Sequence, residues 1–370
     1  MATHGVARVS RPRSQEQRRQ DLSKIQVYRD LEAQIRTCVA SEIYDSRLFQ
    51  LTTDILHLNP EYYTVWNIRR RCLLSSLLSQ GVDPFLSDAP VKLPDACQSN
   101  NQDPDKSVLE FELTFLIPLL KRAPKCYWIW EYRRWILTQT NLRLSIPAAR
   151  QIWELELSLT SSLLGRDRRN FHAWGYRRFV VAQLESDELG GKSLAEDEFA
   201  YTDKMIRGDL SNFSAWHNRG QVILRIVEER GFTDEARAAL LVKELHIIWE
   251  GLNIGADDQS LWYYHRFLIS QITNSGTKKT IAPALTIAER VTHLKHEIAE
   301  VEDLLGDYAN VELVYEALLE YTFALERLVK RNARDGREQA RLLTWLAKLQ
   351  VLDPMRAGRW RDMERGIRGI

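Results

Sequence analysis

Apolar residues recur along the chain at the three- and four-residue intervals that place side chains on one face of a helix. The pattern is clear in two stretches, formed by Leu109, Leu113, Leu116 and Leu120 in 108–121 and by Ile152, Leu155, Leu159 and Leu163 in 150–165. After each stretch come a short turn and a second segment, built around a tryptophan. The pattern therefore predicts a unit of two helices joined by a turn, which is a helical hairpin.

The tryptophan-bearing segment occurs five times. Its copies are NPEYYTVWNIRR with Trp66, APKCYWIWEYRR with Trp130, DRRNFHAWGYRR with Trp174, DLSNFSAWHNRG with Trp216 and ADDQSLWYYHRF with Trp262. These tryptophans are 64, 44, 42 and 46 residues apart, and the long first interval contains an insertion. A signature that returns about every 40 residues predicts an array of stacked hairpins instead of one globular core.

Each copy follows the same rule around its tryptophan. An aromatic residue stands three positions earlier in four copies: Tyr63, Tyr127, Phe171 and Phe213. Basic residues stand three and four positions later: Arg69 and Arg70, Arg133 and Arg134, Arg177 and Arg178, Arg219 alone, and His265 with Arg266. Because these offsets share a helix face, the buried indole and the following guanidinium can touch, so we expect the first arginine to pack on the tryptophan or to cap the C-terminus of a neighbouring helix. The second arginine is expected at the edge of that face. Stacked repeats would then align several of these arginines in a row of basic side chains.

Turn signals mark the repeat boundaries and extend the array to the C-terminus. Residues suited to a turn or a helix N-cap stand seven positions before three of the tryptophans: Asn59, Asp167 and Asp209. Asp353 has the same relation to Trp360, which indicates a partial seventh hairpin, and 284–305 with 311–330 predict a sixth without a tryptophan. The predicted fold is all-α, a right-handed superhelical solenoid of about seven helical hairpins that forms a single domain over 21–370.

Two segments stand outside the repeats. Residues 1–20 carry five arginines and no hydrophobic periodicity, which is typical of a disordered basic tail or of an arm laid across a partner. Residues 81–107 combine proline turn signals with little periodicity and predict an exposed, flexible insertion.

Composition and charge argue against several classes of protein. A formal net charge of +1 gives the chain no overall attraction for nucleic acid or a membrane surface. No run of apolar residues is long enough to suggest a membrane span or a secretion signal. Widely separated cysteines suggest free thiols in a reducing compartment: Cys38, Cys72, Cys97 and Cys126. These observations predict a cytoplasmic protein.

Motifs for self-contained catalysis are missing from the sequence. There is no phosphate-cradling glycine loop, no HExxH and no GxSxG motif. His293 and His296 share a helix face, but no third metal ligand accompanies them, so a solvated face is the better interpretation.

The aromatic-x-x-Trp-x-x-Arg-Arg copies resemble the α-subunit repeats of the protein prenyltransferases, strongly over residues 40–270. Within that family the chain is most similar to the Rab, or type II, branch. Its start, with His4 followed by Gly5, resembles that branch, and NFHAWGYRRFV is closer to the Rab type. Trp128 stands where the CaaX-type subunits have a glutamine that helps to hold the substrate carboxylate.

The resemblance implies one subunit of a heterodimeric transferase. The reaction would be geranylgeranyl transfer from geranylgeranyl diphosphate to C-terminal cysteines of Rab GTPases, which an escort protein presents, in the service of vesicle trafficking. The α-subunit would wrap a β-subunit that holds the zinc and most catalytic residues, and this chain would bind no cofactor alone. Two alternatives stay open: the α-subunit of a CaaX farnesyl- or geranylgeranyltransferase, and a non-enzymatic helical-repeat adaptor that binds peptides.

The resemblance also implies site residues. Lys125 matches the family lysine that reaches the isoprenoid diphosphate, where an ammonium stabilises negative charge on the leaving group. Tyr127 matches a tyrosine beside the isoprenoid. A run of three residues matches an Asn-Tyr-His run near the same substrate: Asn170, Phe171 and His172. His4 would be an autoinhibitory ligand of the zinc in the β-subunit.

Overall fold

The computed structural model describes residues 14–79, 104–274, 279–330 and 336–369. Within these ranges the regular structure is helical and no strand occurs. The α-helices are α1 Gln15–Ala40, α2 Ser46–Leu58, α3 Tyr63–Cys72, α4 Pro104–Arg122, α5 Tyr127–Arg143, α6 Ile146–Arg166, α7 Phe171–Leu184, α8 Ala195–Gly208, α9 Phe213–Glu229, α10 Asp234–Leu252, α11 Gln259–Thr273, α12 Ile287–Asp303, α13 Glu312–Leu328, α14 Gly336–Leu352 and α15 Ala357–Arg368. The predicted all-α class is confirmed.

The helices pack as consecutive pairs. Among the described residues, the first unit of the chain, Met1–Lys192, contains α1 and three hairpins, and the second, Ser193–Ile370, contains four. We number these hairpins 1 to 7 along the chain: α2 with α3, α4 with α5, α6 with α7, α8 with α9, α10 with α11, α12 with α13 and α14 with α15. The predicted number of about seven is confirmed. A division between hairpins into two units is natural in a repeat array, because each hairpin contacts mainly its neighbours.

The predicted segments outside the repeats differ from the structure at their edges. The described part of the 1–20 segment is helical, because Ser14 and Gln17 form a reciprocal capping box that begins α1. The described part of the 81–107 segment is also helical, because α4 begins at Pro104. Residues 1–13 and 80–103, which include His4 and Cys97, lie outside the described residues.

The predicted turn residues begin turns but do not cap the following helix. The N–H groups three residues after Asn59, Asp167 and Asp209 donate to their carbonyl oxygens at 3.3, 3.2 and 3.0 Å. The second helices begin only after these turns, so the N-caps are different residues: Tyr62, Asn170 and Asn212. The N-cap alternative was therefore wrong by three residues, and the turn alternative is confirmed.

The five repeat tryptophans are buried, as predicted, and each also closes the turn before its own helix. Every indole Nε1–H donates to the carbonyl oxygen six residues earlier, at 2.7–3.0 Å: Pro60, Pro124, Arg168, Leu210 and Ala256. In hairpin 6 the Tyr315 hydroxyl makes the same bond to the Ala309 carbonyl, also six residues earlier, at 3.0 Å. Tyr315 is thus the tryptophan equivalent of the degenerate repeat. A buried indole needs a partner for its N–H, and the turn supplies one.

In four of the five copies, the first basic residue after the tryptophan binds a glutamate of the next hairpin. Arg69, Arg133 and Arg219 are buried and donate twice, at 2.5–2.7 Å, to a glutamate on the first helix of the next hairpin: Glu112, Glu156 and Glu244. Where ring contacts accompany the guanidinium, they come from phenylalanine: Arg69 lies 3.8 Å from the Phe49 ring and Arg219 lies 4.0 Å from the Phe199 ring. The alternative of packing on the tryptophan was therefore wrong for these two arginines, because the carboxylate and a ring of the first helix orient the guanidinium.

A tyrosine from the second helix of the next hairpin completes each of these ion pairs. The hydroxyls of Tyr132, Tyr176 and Tyr264 donate to the same glutamates at 2.6–2.7 Å. Burial raises the pKa of these tyrosines well above its usual value, so the hydroxyls stay protonated. His265 takes the arginine position in hairpin 5 and contacts Glu297 and Tyr321 at 2.9 and 2.7 Å. Each carboxylate therefore has partners on two sides, as a buried charge requires.

Candidate functional site

The residues that the resemblance implies lie together at the start of two neighbouring helices. Lys125 is exposed in the turn before α5, and Tyr127 is the first residue of α5. Asn170 caps α7, and Phe171 and His172 are its first two residues. The Tyr127 and His172 ring centroids are 6.3 Å apart, which brings the two helix starts side by side. About 45 residues of sequence separate these groups, and the stacking of hairpins 2 and 3 brings them together.

Tyr127 and Phe171 expose large aromatic surfaces. Their fractional exposures are 51% and 67%, although the tryptophans three residues later are buried. Trp128 is 36% exposed and lies between Tyr63 and Tyr127, with ring centroids 5.4 Å from each. We call Tyr63, Tyr127, Trp128 and Phe171 the aromatic row. Exposed aromatic groups that lie together mark a surface built to be covered by a partner or a ligand.

His172 is held against both hairpins. Its ring stacks nearly parallel to the Trp130 indole, with centroids 6.5 Å apart and planes 9° apart. Burial lowers the pKa of His172 from 6.5, and a hydrogen bond with the backbone of Lys125 opposes this shift. A neutral imidazole at neutral pH follows from the direction of this shift. The site therefore combines an exposed lysine with a neighbouring imidazole ring that is mostly uncharged.

Unlike the exposed Lys125, Tyr127 and Phe171, Asn170 is buried, with a fractional exposure of 4%. Its Oδ1 accepts from the backbone N–H groups of His172 and Ala173 at 3.0 and 3.2 Å. Its Nδ2 donates to the Pro124 carbonyl oxygen at 3.1 Å. Both ends of the amide are thus bound within the chain, directly beside Lys125.

Two of the second arginines, Arg70 and Arg134, pack on the following hairpin. Arg70 lies 5.3 Å from the Trp135 ring and Arg134 lies 4.4 Å from the Phe179 ring. Both rings come five positions after the next tryptophan in the sequence. The predicted position at the edge of the helix face agrees with their partial exposure. In these two repeats the side chains also stabilise the contact between hairpins, since guanidinium–aromatic contacts are favourable.

The part of the chain that the structure describes contains neither a metal-binding cluster nor a helix that could span a membrane. There, no group of three or more His, Cys, Asp or Glu side chains is arranged to hold a metal ion. No helix in those ranges is long and apolar enough to cross a membrane. Cys38, Cys72 and Cys126 are free thiols, and burial raises the pKa of Cys72 to about 12 and that of Cys126 to about 11.

Comparison with known proteins places this geometry in a family. The model of the protein prenyltransferase alpha subunit repeat matches residues 45–76, 109–140, 153–184 and 195–226, which correspond to hairpins 1 to 4. Over 99% of both chains, this chain is 32% identical to the geranylgeranyl transferase type-2 subunit alpha of Schizosaccharomyces pombe. The chain belongs to the protein prenyltransferase α-subunit family. It is 29% identical to the corresponding Candida albicans protein over 98% of both chains, and 34% identical to that of Saccharomyces cerevisiae over 72% of both.

A solved structure has the same fold. It is described as Candida albicans protein geranylgeranyltransferase-I complexed with GGPP, and it covers 92% of this chain and 91% of its own at a TM-score of 0.59 and 19% identity. The resemblance to prenyltransferase α-subunits, and to the type-2 subunits among them, is confirmed by the sequence relatives. Hairpin 5 has the same tryptophan-to-carbonyl bond as the four matched repeats, so the structural repeat continues beyond them.

Proposed function

We propose that the chain is the α-subunit of a heterodimeric Rab geranylgeranyltransferase in the cytoplasm. The enzyme would transfer geranylgeranyl from its diphosphate to C-terminal cysteines of Rab GTPases that an escort protein presents. The observation that carries the proposal is similarity over nearly the whole chain to proteins named geranylgeranyl transferase type-2 subunit alpha. The aromatic row supports it, because this exposed surface suits a chain that works against a partner.

In this proposal Lys125 acts on the leaving group. Its ammonium is exposed on a turn whose backbone is bonded to neighbouring hairpins. A preorganised cation beside the diphosphate would stabilise the negative charge that develops as the bond to the lipid carbon breaks. Tyr127, Phe171 and His172 would line the same end of the substrate site. Phe171 lacks the hydroxyl of the family tyrosine and would contribute apolar contact only.

As the resemblance implies, the proposal places the zinc in the β-subunit; the described residues of this chain contain no group of three or more side chains that could hold it. When bound there, it would supply activation of the substrate thiolate. The proposal includes a role for His4 as a ligand that reaches this zinc before substrate arrives. No other step of the proposal depends on His4.

Co-expression with the Rab-type β-subunit of the same organism tests the proposal. We expect a 1:1 complex that transfers labelled geranylgeranyl to a Rab protein only when the escort protein is present. A complex that instead modifies CaaX peptides without the escort would contradict the Rab assignment. A chain that stays monomeric with every β-subunit, and that binds peptides, would support the adaptor alternative.

A further inference from the structure

The carbonyl group just before Lys125 is held by two buried donors. The Pro124 oxygen accepts from the Trp130 Nε1–H at 3.0 Å and from the Asn170 Nδ2–H at 3.1 Å. A carbonyl oxygen has two lone pairs, so its acceptor capacity is filled. One donor belongs to hairpin 2 and the other to hairpin 3. The peptide unit between Pro124 and Lys125 is therefore fixed between two repeats.

The residues on the other side of Lys125 are also tied down. The Cys126 Sγ–H donates to the Pro60 carbonyl of hairpin 1 at 3.4 Å. The His172 ring of hairpin 3 lies beside this turn, with its centroid 6.3 Å from that of the Tyr127 ring. The lysine side chain is exposed and flexible, so its reach and direction depend on where this backbone is held. Three hairpins together determine that position.

The other repeats show that capping alone does not require asparagine here. Asp258 has the same position in hairpin 5 and caps α11 through the Ser260 N–H at 2.8 Å. Aspartate and asparagine are about equally good N-caps. What asparagine adds at position 170 is an N–H donor, and that donor is the group that binds the Pro124 carbonyl.

We propose that Asn170 is a positioning residue for Lys125. Its amide holds the Pro124 carbonyl so that the Lys125 ammonium is directed toward the diphosphate, and Asn170 does not itself contact the substrate. The inference depends on the role proposed for Lys125, but the hold on the turn is a separate property that can be measured without any transfer reaction.

The variant Asn170→Asp separates the two tasks of this side chain. It keeps the cap of α7 and replaces the donor by a carboxylate oxygen that repels the Pro124 carbonyl. The matched control is Asn212→Asp, since Asn212 is buried and caps α9 through the Ala215 N–H at 3.1 Å, in a repeat without Lys125. In the heterodimer we expect Asn170→Asp to slow single-turnover transfer by roughly tenfold, the size of one lost hydrogen bond. Lipid affinity should change by less than about twofold, and Asn212→Asp should transfer at the wild-type rate.

Two further measurements decide the mechanism. In a Lys125→Ala background, Asn170→Asp should cause no additional loss of rate, because it acts through that lysine. Amide hydrogen exchange of residues 123–127 in the full chain should become faster in Asn170→Asp and stay unchanged in Asn212→Asp. The proposal is overturned if the rate losses of Lys125→Ala and Asn170→Asp multiply in the double variant. It is also overturned if Asn170→Asp and Asn212→Asp reduce the transfer rate equally. If the wild-type heterodimer transfers no lipid, the proposed function fails, and unchanged exchange in Asn170→Asp would overturn the positioning role by itself.

Discussion

Arg133 and Glu156 form a buried bidentate ion pair that joins hairpins 2 and 3. The Arg133 Nε and Nη2 atoms lie 2.6 and 2.5 Å from the two carboxylate oxygens, and the side chains are 2% and 4% exposed. The Tyr176 hydroxyl adds a bond of 2.6 Å to the same carboxylate. Such a pair fixes the geometry between repeats, because every member would be left unsatisfied if the hairpins moved apart.

Removing one partner of this pair should be strongly destabilising. Arg133→Ala leaves the Glu156 charge buried without its partner, so we expect the free energy of unfolding to fall by about 3–5 kcal/mol. The matched control is Arg134→Ala, which removes an exposed pair with Glu131 and a contact with the Phe179 ring and should therefore cost less than about 2 kcal/mol. Urea denaturation of the three proteins measures both values. Equal midpoints for the two variants would contradict a structural role for the buried pair.

The tyrosine that replaces tryptophan in hairpin 6 gives a clean test of the turn-closing bond. Tyr315→Phe keeps the ring and removes only the hydroxyl that donates to the Ala309 carbonyl. We expect a loss of about 1 kcal/mol in the free energy of unfolding. Tyr308→Phe is the control, because its bond to the Asn253 carbonyl is exposed. A larger effect at Tyr308 would argue against the tryptophan equivalence of Tyr315.

Hydrogen bonds join the chain just before and just after residues 80–103, whatever the length of that segment. Ser79 N–H donates to the Asp105 carboxylate at 2.8 Å, and Arg143 Nη1 donates to the Ser79 carbonyl at 2.7 Å. We therefore expect a chain with 80–103 replaced by about six Gly and Ser residues to be as stable as the wild type or about 1 kcal/mol more stable. Arg143→Ala should cost about 3 kcal/mol, since Asp105 is buried. Thermal melts that rank these two variants in the opposite order would refute the role of the junction.

Lys125 should affect the transfer step more than lipid binding. An interaction that strengthens as charge develops lowers the barrier without an equal gain in substrate affinity. We expect Lys125→Ala to reduce the single-turnover rate more than it raises the dissociation constant of geranylgeranyl diphosphate. Lys121→Ala, an exposed lysine at the end of α4, is the matched control. Equal losses in rate and affinity would mean that Lys125 is only a ground-state contact.

The lowered pKa of His172 predicts a pH dependence of stability. Because the folded protein binds this proton less readily than the unfolded chain, the stability due to neutral His172 is present above about pH 6.5 and is lost as the pH falls. His172→Gln, which cannot titrate, should therefore lose less stability than the wild type between about pH 7.5 and about pH 5.5. Urea denaturation at both pH values measures this difference. Equal losses of stability in the two proteins would contradict this role of His172.

The repeat was readable from the sequence because its signals are local. Tryptophan, a following basic residue and an apolar first helix recur at fixed intervals, and these determine where the helices and turns lie. The same sequence also holds a signal that was missed, a glutamate eighteen residues before each of four tryptophans: Glu112, Glu156, Glu198 and Glu244. In the sixth hairpin Glu297 stands eighteen residues before Tyr315.

The partners of those side chains could be assigned only from the tertiary structure. The sequence allowed Arg133 to pack on its own indole, because both lie on one helix face, or to cap a neighbouring helix. In the structure it turns to Glu156, because a buried guanidinium needs a carboxylate and the next hairpin carries one. The candidate site is likewise formed only in the tertiary structure. The sequence by itself determined that Lys125 and Asn170 each stand just before a helix, and the stacking of two hairpins decided that one holds the backbone of the other.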